Sequence, residues 1–273
     1  MKFVMFTKLL KDLGVDELAD TIQDLGFDGF DLAVRPGYPV NPENVSTALP
    51  AAAKKWAQRG LTVGLVTTNF DFLDPTKPEV EPLLAACAEI GCRDIKLGYW
   101  VYRGEDYWTR VDQIRKALAG FEKICQKHDV RVSVHTHADE YYGSNCAGIM
   151  HLVKGFNPRY IGAYIDPGHL SVDGEWLPMA FSMVKEYLSV IAVKSYGWFR
   201  TEEAGKVKWD KKTVPLSEGL VDWGLALKLA KRIGYDGVYT LHSEYEDVST
   251  EEILRLTRDD LSHMKSLAAE VSA

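Results

Sequence analysis

Three apolar, strand-like runs in the C-terminal half of the chain end in residues that bind metals or move protons. VSVHTH carries His135 and His137, YIGAYIDPGH carries Asp166 and His169, and VYTLHSEYE carries His242 and Glu244. Residues two apart on a strand share a face, so His135 is expected to point with His137, and His242 with Glu244. Pro167 and Gly168 force a turn that can bring His169 back over the same end as Asp166. A lone histidine is ordinarily a hydrogen-bonded core residue. Here four of the seven histidines stand at strand ends beside Asp166 and Glu244, which reverses that expectation. Mixed imidazole and carboxylate donors suit Mn, Zn, Co or Fe(II) more than Ca, and sequence does not separate these from Mg.

Two lysines, Lys96 in DIKLG and Lys194 in VIAVKSY, stand near strand ends where apolar surroundings are expected. A lysine there must pair with a carboxylate, contact a substrate oxygen, or lose its proton through desolvation. The plainer reading is a lysine that flanks a strand and reaches solvent. Arg35 in DLAVRPGYP can clamp a carboxylate or phosphate, or pack under the Pro36-Gly37 turn.

Groups of this kind meet only if the strands that carry them end on one side, which is how a (β/α)8 barrel builds an active site. Eight strand candidates can be read: 2–6, 29–34, 61–67, 94–98, 130–136, 160–165, 189–195 and 237–243. Amphipathic segments separate them, among them 15–26, 43–60, 80–91 and about 108–127. Gly26, Gly60, Gly91 and Gly234 close several of these helices. Pro50 predicts a break inside the second. The connection from Tyr196 to Glu218 is long for a compact domain. It predicts a lid over the active face, with Trp198 and Trp209 able to stack on a sugar and Lys206, Lys208, Lys211 and Lys212 able to meet an anionic group.

The 273 residues, 46% hydrophobic and 26% charged, suit one (β/α)8 TIM barrel domain spanning 1–273. The formal charge of -7 and pI near 5.6 disfavour nucleic acid and anionic membrane as partners and favour a small molecule. Residues 1–14 read as neither a signal peptide nor a membrane span, so a cytoplasmic protein is expected. Cys87, Cys92, Cys125 and Cys146 lack metal or redox spacing and read as reduced packing residues. The sequence does not decide between a monomer and a homo-oligomer.

With these residues assembled, the chain resembles the sugar phosphate isomerase/epimerase superfamily, the xylose-isomerase-like (β/α)8 barrels, over nearly its whole length. The resemblance rests on GFDGFDLAVRPGYPVNPENV, the H-x-H of the fifth strand, YIDPGH of the sixth, VKSYGW of the seventh, VPLSEGLVDW after it, and HSEYE of the eighth. It implies a divalent metal held by a strand-five Glu, strand-six Asp, strand-seven His and strand-eight Glu, with the two glutamates exchanging a proton through an enediolate. Asp166 and Glu244 match two of those ligands, and His169 matches a substrate-contacting histidine. Two positions depart: His135 stands at the strand-five Glu position and Ala192 at the strand-seven His position.

The expectation is therefore a sugar or keto-sugar isomerase/epimerase with a small carbohydrate substrate and no organic cofactor. Glu244, His135 and Lys194 are its catalytic candidates, and Arg35, Lys96, His169, Trp198 and His242 its substrate contacts. Asp166, Glu244, His135 and His137 are its candidate metal ligands. The strand-five H-x-H also resembles inosose-dehydratase-like members, so a dehydratase or β-eliminating lyase is the alternative. The missing ligands add a third reading, a carbohydrate-binding barrel without catalysis.

Overall fold

The computed structural model describes residues 1–272. Eight parallel strands close into a barrel: β1 (Lys2–Phe6), β2 (Gly29–Ala33), β3 (Thr62–Thr67), β4 (Asp94–Lys96), β5 (Arg131–His135), β6 (Ile161–Ile165), β7 (Leu188–Val193) and, after an inserted hairpin, β10 (Val238–Leu241). Round the barrel the order is β1-β10-β7-β6-β5-β4-β3-β2. It closes where Val4 meets Thr240 on one side and Gly29 on the other. The helices α1 (Val15–Leu25), α2 (Val45–Gln58), α3 (Val80–Glu89), α4 (Tyr107–His128), α5 (Cys146–Val153), α6 (Pro167–Val172), α7 (Leu177–Val184), α8 (Trp223–Arg232) and α9 (Thr250–Ser272) follow the strands. None of them is long and apolar enough to cross a membrane. All eight strand candidates are present.

The main core lies between strands and helices, where Phe30 packs on Trp56 with ring centroids 4.2 Å apart. A smaller cluster of Leu65, Tyr164, Val190 and Ala192 fills the barrel interior. The interior also holds polar groups that satisfy one another. The Asp31 carboxylate accepts from Thr67 Oγ1 at 2.6 Å and from Thr240 Oγ1 at 2.9 Å, tying β2 to β3 and β10. The four cysteines are buried free thiols.

Three local expectations need correction. Pro50 does not break α2, which runs on to Gln58. The missing N–H falls near the start of the helix, where exposed Ser46 can offer its carbonyl to water. The fourth strand stops at Lys96 rather than 98, because Gly98 N donates to Phe72 O and Tyr99 N to Phe70 O, so the chain turns onto the loop after β3. The long connection is not an irregular loop. It is an antiparallel hairpin, β8 (Ser195–Glu203) paired with β9 (Lys206–Val214). Its lysines are partly spoken for: Lys211 pairs with Asp139 at 2.5 Å and Lys208 with Asp210 at 3.3 Å.

Gly26, Gly60, Gly91 and Gly234 do stop helices, with φ between 72° and 86°. Gly98 is needed for a different reason: a Cβ there would lie 2.0 Å from the Phe70 carbonyl oxygen. Gly98→Ala is therefore expected to cost about 3 kcal/mol and to shift Tyr99. Gly60→Ala, whose Cβ meets nothing within 4 Å, bears only the left-handed backbone penalty of about 1–2 kcal/mol. Urea midpoints of the two variants check this; equal losses would mean that the contact at Gly98 relaxes freely.

Candidate active site

The chemistry gathers at the C-terminal mouth of the barrel. Asp166 follows β6 and caps α6, its Oδ1 accepting from His169 N at 3.2 Å, while its own N–H donates to Thr136 Oγ1 at 2.7 Å. Pro167 opens that helix, where a missing N–H costs nothing. With the carboxylate fixed in this way, Oδ2 turns to Lys194 Nζ at 3.3 Å, His135 Nε2 at 3.6 Å and His169 Nε2 at 3.8 Å. Lys194, the residue after β7, also donates to Glu244 Oε2 at 3.2 Å. The other oxygen of Glu244 accepts from Lys8 Nζ at 2.6 Å. A chain of alternating charge thus runs Lys8, Glu244, Lys194, Asp166.

Histidines and tyrosines enclose this chain. Tyr99 Oη and His135 Nδ1 are 2.6 Å apart, and Tyr164 Oη and His242 Nε2 are 2.8 Å apart. His242 Nδ1 lies 3.9 Å from Glu244 Oε2, and the His137 ring lies over that of His169 at 3.9 Å between centroids. Above them opens a cavity of about 210 Å³ lined by Lys8, Arg35, Lys96, His137, Lys194, His242 and Glu244, with Phe6, Phe70, Tyr99 and Tyr141 as aromatic walls.

Burial acts against every charge here, and the ion pairs decide which survive. Lys194 is opposed by desolvation, but Asp166 and Glu244 outweigh it and hold the ammonium well above its ordinary pKa. Desolvation likewise opposes ionised Asp166 and Glu244. Lys194 leads the groups that keep both carboxyls below their usual range, and Lys8 adds to the effect at Glu244. Asp166 favours charge on His137 and His169 but does not outweigh their burial. Desolvation, reinforced by the nearby lysines, pushes His135 and His169 well below their ordinary value and His137 down to about 4. All three are neutral at neutral pH.

The structure brings the residues read from sequence to one end of the barrel, in two layers. Arg35, Lys96, His137, Lys194, His242 and Glu244 line the cavity, whereas Asp166, His135 and His169 are almost fully buried and are not among its lining residues. Trp198 is on the hairpin, 42% exposed, and does not line the cavity; Trp209 is more exposed still. Sequence reasoning missed Lys8, Asp31, Tyr99 and Tyr164. Lys8 follows the end of the first apolar strand, and Asp31 is an acid inside an apolar one, so both carried a readable signal.

Residues 19–267 match the family model for the xylose isomerase-like TIM barrel. The chain belongs to that family. Solved structures share its fold at low identity. The 3-keto-D-glucoside 4-epimerase of E. coli is 13% identical, with a TM-score of 0.74 over 97% of this chain and 99% of that one. An L-ribulose 3-epimerase is 11% identical, with a TM-score of 0.75 over 99% and 95%. A xylose isomerase-like TIM barrel protein from Mycobacterium smegmatis in complex with magnesium is 15% identical, with a TM-score of 0.72 over 100% and 98%. No curated protein matches the chain.

The family therefore raises a divalent metal, and the donor set here does not fit one. The two carboxylates expected to hold it, Asp166 and Glu244, share the Lys194 ammonium instead, and Ala192 supplies no donor. His135 Nε2 and His169 Nε2 do converge on Asp166 Oδ2 within 3.8 Å, but Lys194 Nζ stands nearer to it, at 3.3 Å. A second cation placed against Asp166 Oδ2 would meet Lys194 Nζ at close range. Of the expected ligands Asp166, Glu244, His135 and His137, the two carboxylates are engaged by Lys194.

Two outcomes follow. Parental protein is expected to show no Asp166-dependent binding of Mn²⁺ or Zn²⁺ by calorimetry, whereas Lys194→Ala, which removes the cation shared by the two carboxylates, gains it. Stoichiometric binding by the parental protein that Asp166→Ala abolishes would restore the metal assignment.

The second outcome concerns acid. A histidine whose folded pKa lies below its unfolded value of 6.5 contributes stability that is present above that pH and is lost as pH falls toward the folded value. Each of the three is expected to remove about 1.4 kcal/mol per pH unit below pH 6.5, in His137 down to about 4. Urea midpoints measured between neutral pH and that value read this out; a flat profile would mean that the histidines are already charged in the fold.

Proposed function

We propose that the protein is an isomerase or epimerase of a small ketose or keto-sugar, working through an enediolate stabilised by the Lys194 ammonium. One observation carries the reading: an ionised carboxylate and a permanently charged ammonium 3.2 Å apart at the wall of a small cavity in the barrel mouth. The epimerase structures named above support the class of substrate. The aromatic walls offer faces on which sugar C–H groups can stack.

Glu244 takes the proton from the carbon next to the substrate carbonyl. The C–H electron pair becomes the enediolate double bond, and the carbonyl oxygen becomes an oxyanion that accepts from Lys194. Most of the rate enhancement arises there, because that charge develops only in the transition state and the ammonium is already in position. In the resting site two lysines hold Glu244 at low basicity. A substrate oxygen that draws on Lys194 weakens one of those contacts and raises the basicity of the carboxylate at the moment a proton must be taken. Return of the proton to the same carbon from the other face gives an epimer, and return to the neighbouring carbon gives an aldose-ketose isomer. The strand-five histidine pair supports a second reading, in which the same intermediate expels a β-oxygen substituent and the product is an eliminated keto-sugar.

The test is incubation in D₂O with D-fructose, D-psicose, D-tagatose, L-ribulose and a 3-keto-D-glucoside, with carbon-bound deuterium and product identity read by NMR and mass spectrometry. Deuterated isomer is expected from at least one sugar; loss of water or of an aglycone would select elimination. Glu244→Gln keeps the fold and lowers the rate by about 10²–10⁴, the usual share of general acid-base assistance. No exchange with any of these sugars would sink the proposal.

A further inference from the structure

The cavity holds a second buried lysine whose surroundings are the opposite of those of Lys194. Lys96 is 3% exposed and is the last residue of β4. Its Nζ donates to Leu97 O at 3.1 Å and lies 3.8 Å from the centre of the Tyr99 ring. No carboxylate is within 4.0 Å of it among the described residues, whereas Lys194 has two.

The placement of Lys96 in the barrel gives this difference a use. In the closed order β1-β10-β7-β6-β5-β4-β3-β2, β4 lies four strands from β10 in either direction, so the two are diametrically opposed. Lys96 ends β4 and Glu244 follows β10, and both line the one cavity. Inverting a carbon through a planar enediolate requires a proton carrier on each face. Glu244 serves one face, and His135, at the position where the family resemblance expects a second glutamate, is buried beneath the cavity and bonded to Tyr99.

We propose that Lys96 is the second proton carrier, a buried amine that works from the face opposite Glu244. The proposal rests on the isomerase/epimerase reading. The Glu244 carboxylate accepts the carbon-bound proton and leaves its electron pair in the enediolate, while the Lys96 ammonium returns a proton to the opposite face and becomes the free amine; the reverse reaction exchanges the roles. Desolvation, the largest influence, together with Arg35 and Lys194 lowers the lysine to about 7 against support from Asp31 and Glu244. These groups face it from β2, the turn after β2, the segment after β10 and the end of β7. His135 on β5 is neutral and adds no charge. A carrier near neutrality gives and takes a proton with equal ease at working pH.

The test has two arms. In protein labelled with ¹³C and ¹⁵N at lysine, one side chain is expected to titrate with a midpoint of about 7, to be missing from Lys96→Met, and to leave Lys194 charged throughout. A Lys96 signal that stays protonated up to the ordinary lysine range near 10.5 overturns the proposal. In D₂O with D-fructose and D-psicose, each offered separately, Lys96→Met is expected to exchange the carbon-bound proton of only one of the two epimers at close to the parental rate. It loses interconversion by about 10² or more, together with the limb of the pH profile near neutrality. Lys96→Gln repeats the measurement should the Met variant fail to fold. Equal loss of exchange from both epimers, or retained interconversion, overturns the role. If the parental protein acts on neither sugar, the role of Lys96 in this epimerisation falls with that substrate pair, and the titration still reports separately whether the amine is free.

Discussion

The site depends on one ammonium group shared by two carboxylates in a dry barrel mouth. At an effective dielectric of about 20, a charge pair at 3.3 Å is worth about 5 kcal/mol, and burying one ion costs several kcal/mol. One partner roughly balances the cost for Lys194; the second makes the charge permanent. The same arithmetic explains Lys96, which has no partner at contact distance and cannot keep its proton so firmly. The difference between a fixed cation and a titrating amine therefore lies in which strand end each residue occupies, since the side chains are identical. His135, His137 and His169 are neutral chiefly because burial disfavours their charge, and the nearby lysines add to that effect.

The barrel supplies positions that no local sequence feature supplies. Asp166 is held by its own helix cap and by Thr136, Glu244 by Lys8 from the far end of the chain, and Lys194 by both acids. Apart from the cap, each of these contacts joins residues from different βα units, so the cluster exists only when the barrel is closed. The polar interior layer around Asp31 ties β2, β3 and β10 beneath it. Gly98 adds a backbone constraint, letting the loop after β3 press against the end of β4 and set where Lys96 and Tyr99 begin to face the cavity.

The strands, the glycine helix stops and most of the site were legible in the sequence because each follows from local periodicity and from polar residues at the ends of apolar runs. The ion pairing was not, because it depends on which strand ends are neighbours around the barrel. His135, Asp166 and Glu244 read in sequence as metal ligands and Lys194 as a catalytic cation; in space Lys194 lies between the two carboxylates. Lys8 and Asp31 are single charges at the end of β1 and within β2, and their partners Glu244, Thr67 and Thr240 come from strands or strand ends distant in the sequence. The hairpin escaped for a different reason. In KVKWDKKTV the alternation of Val207 and Trp209 with polar residues stops after Asp210 and both side chains are exposed, so pairing with β8 rather than burial makes it a strand. Trp198 suggested a stacking platform, but it is exposed on the hairpin and does not line the cavity.

β7 ends at Val193 and β8 begins at Ser195, so Lys194 is the single residue that joins the barrel to its hairpin. Its side chain is locked inward by two acids while its backbone continues into a nine-residue arm that stands largely in solvent. The other end of the hairpin returns through Val214 to a segment held by Leu216 N donating to Asp260 and Val221 N to Ser195. Anchors near the base, Tyr196 against His169 and Lys211 against Asp139, then act as stays that keep an external lever from turning the charge at the centre.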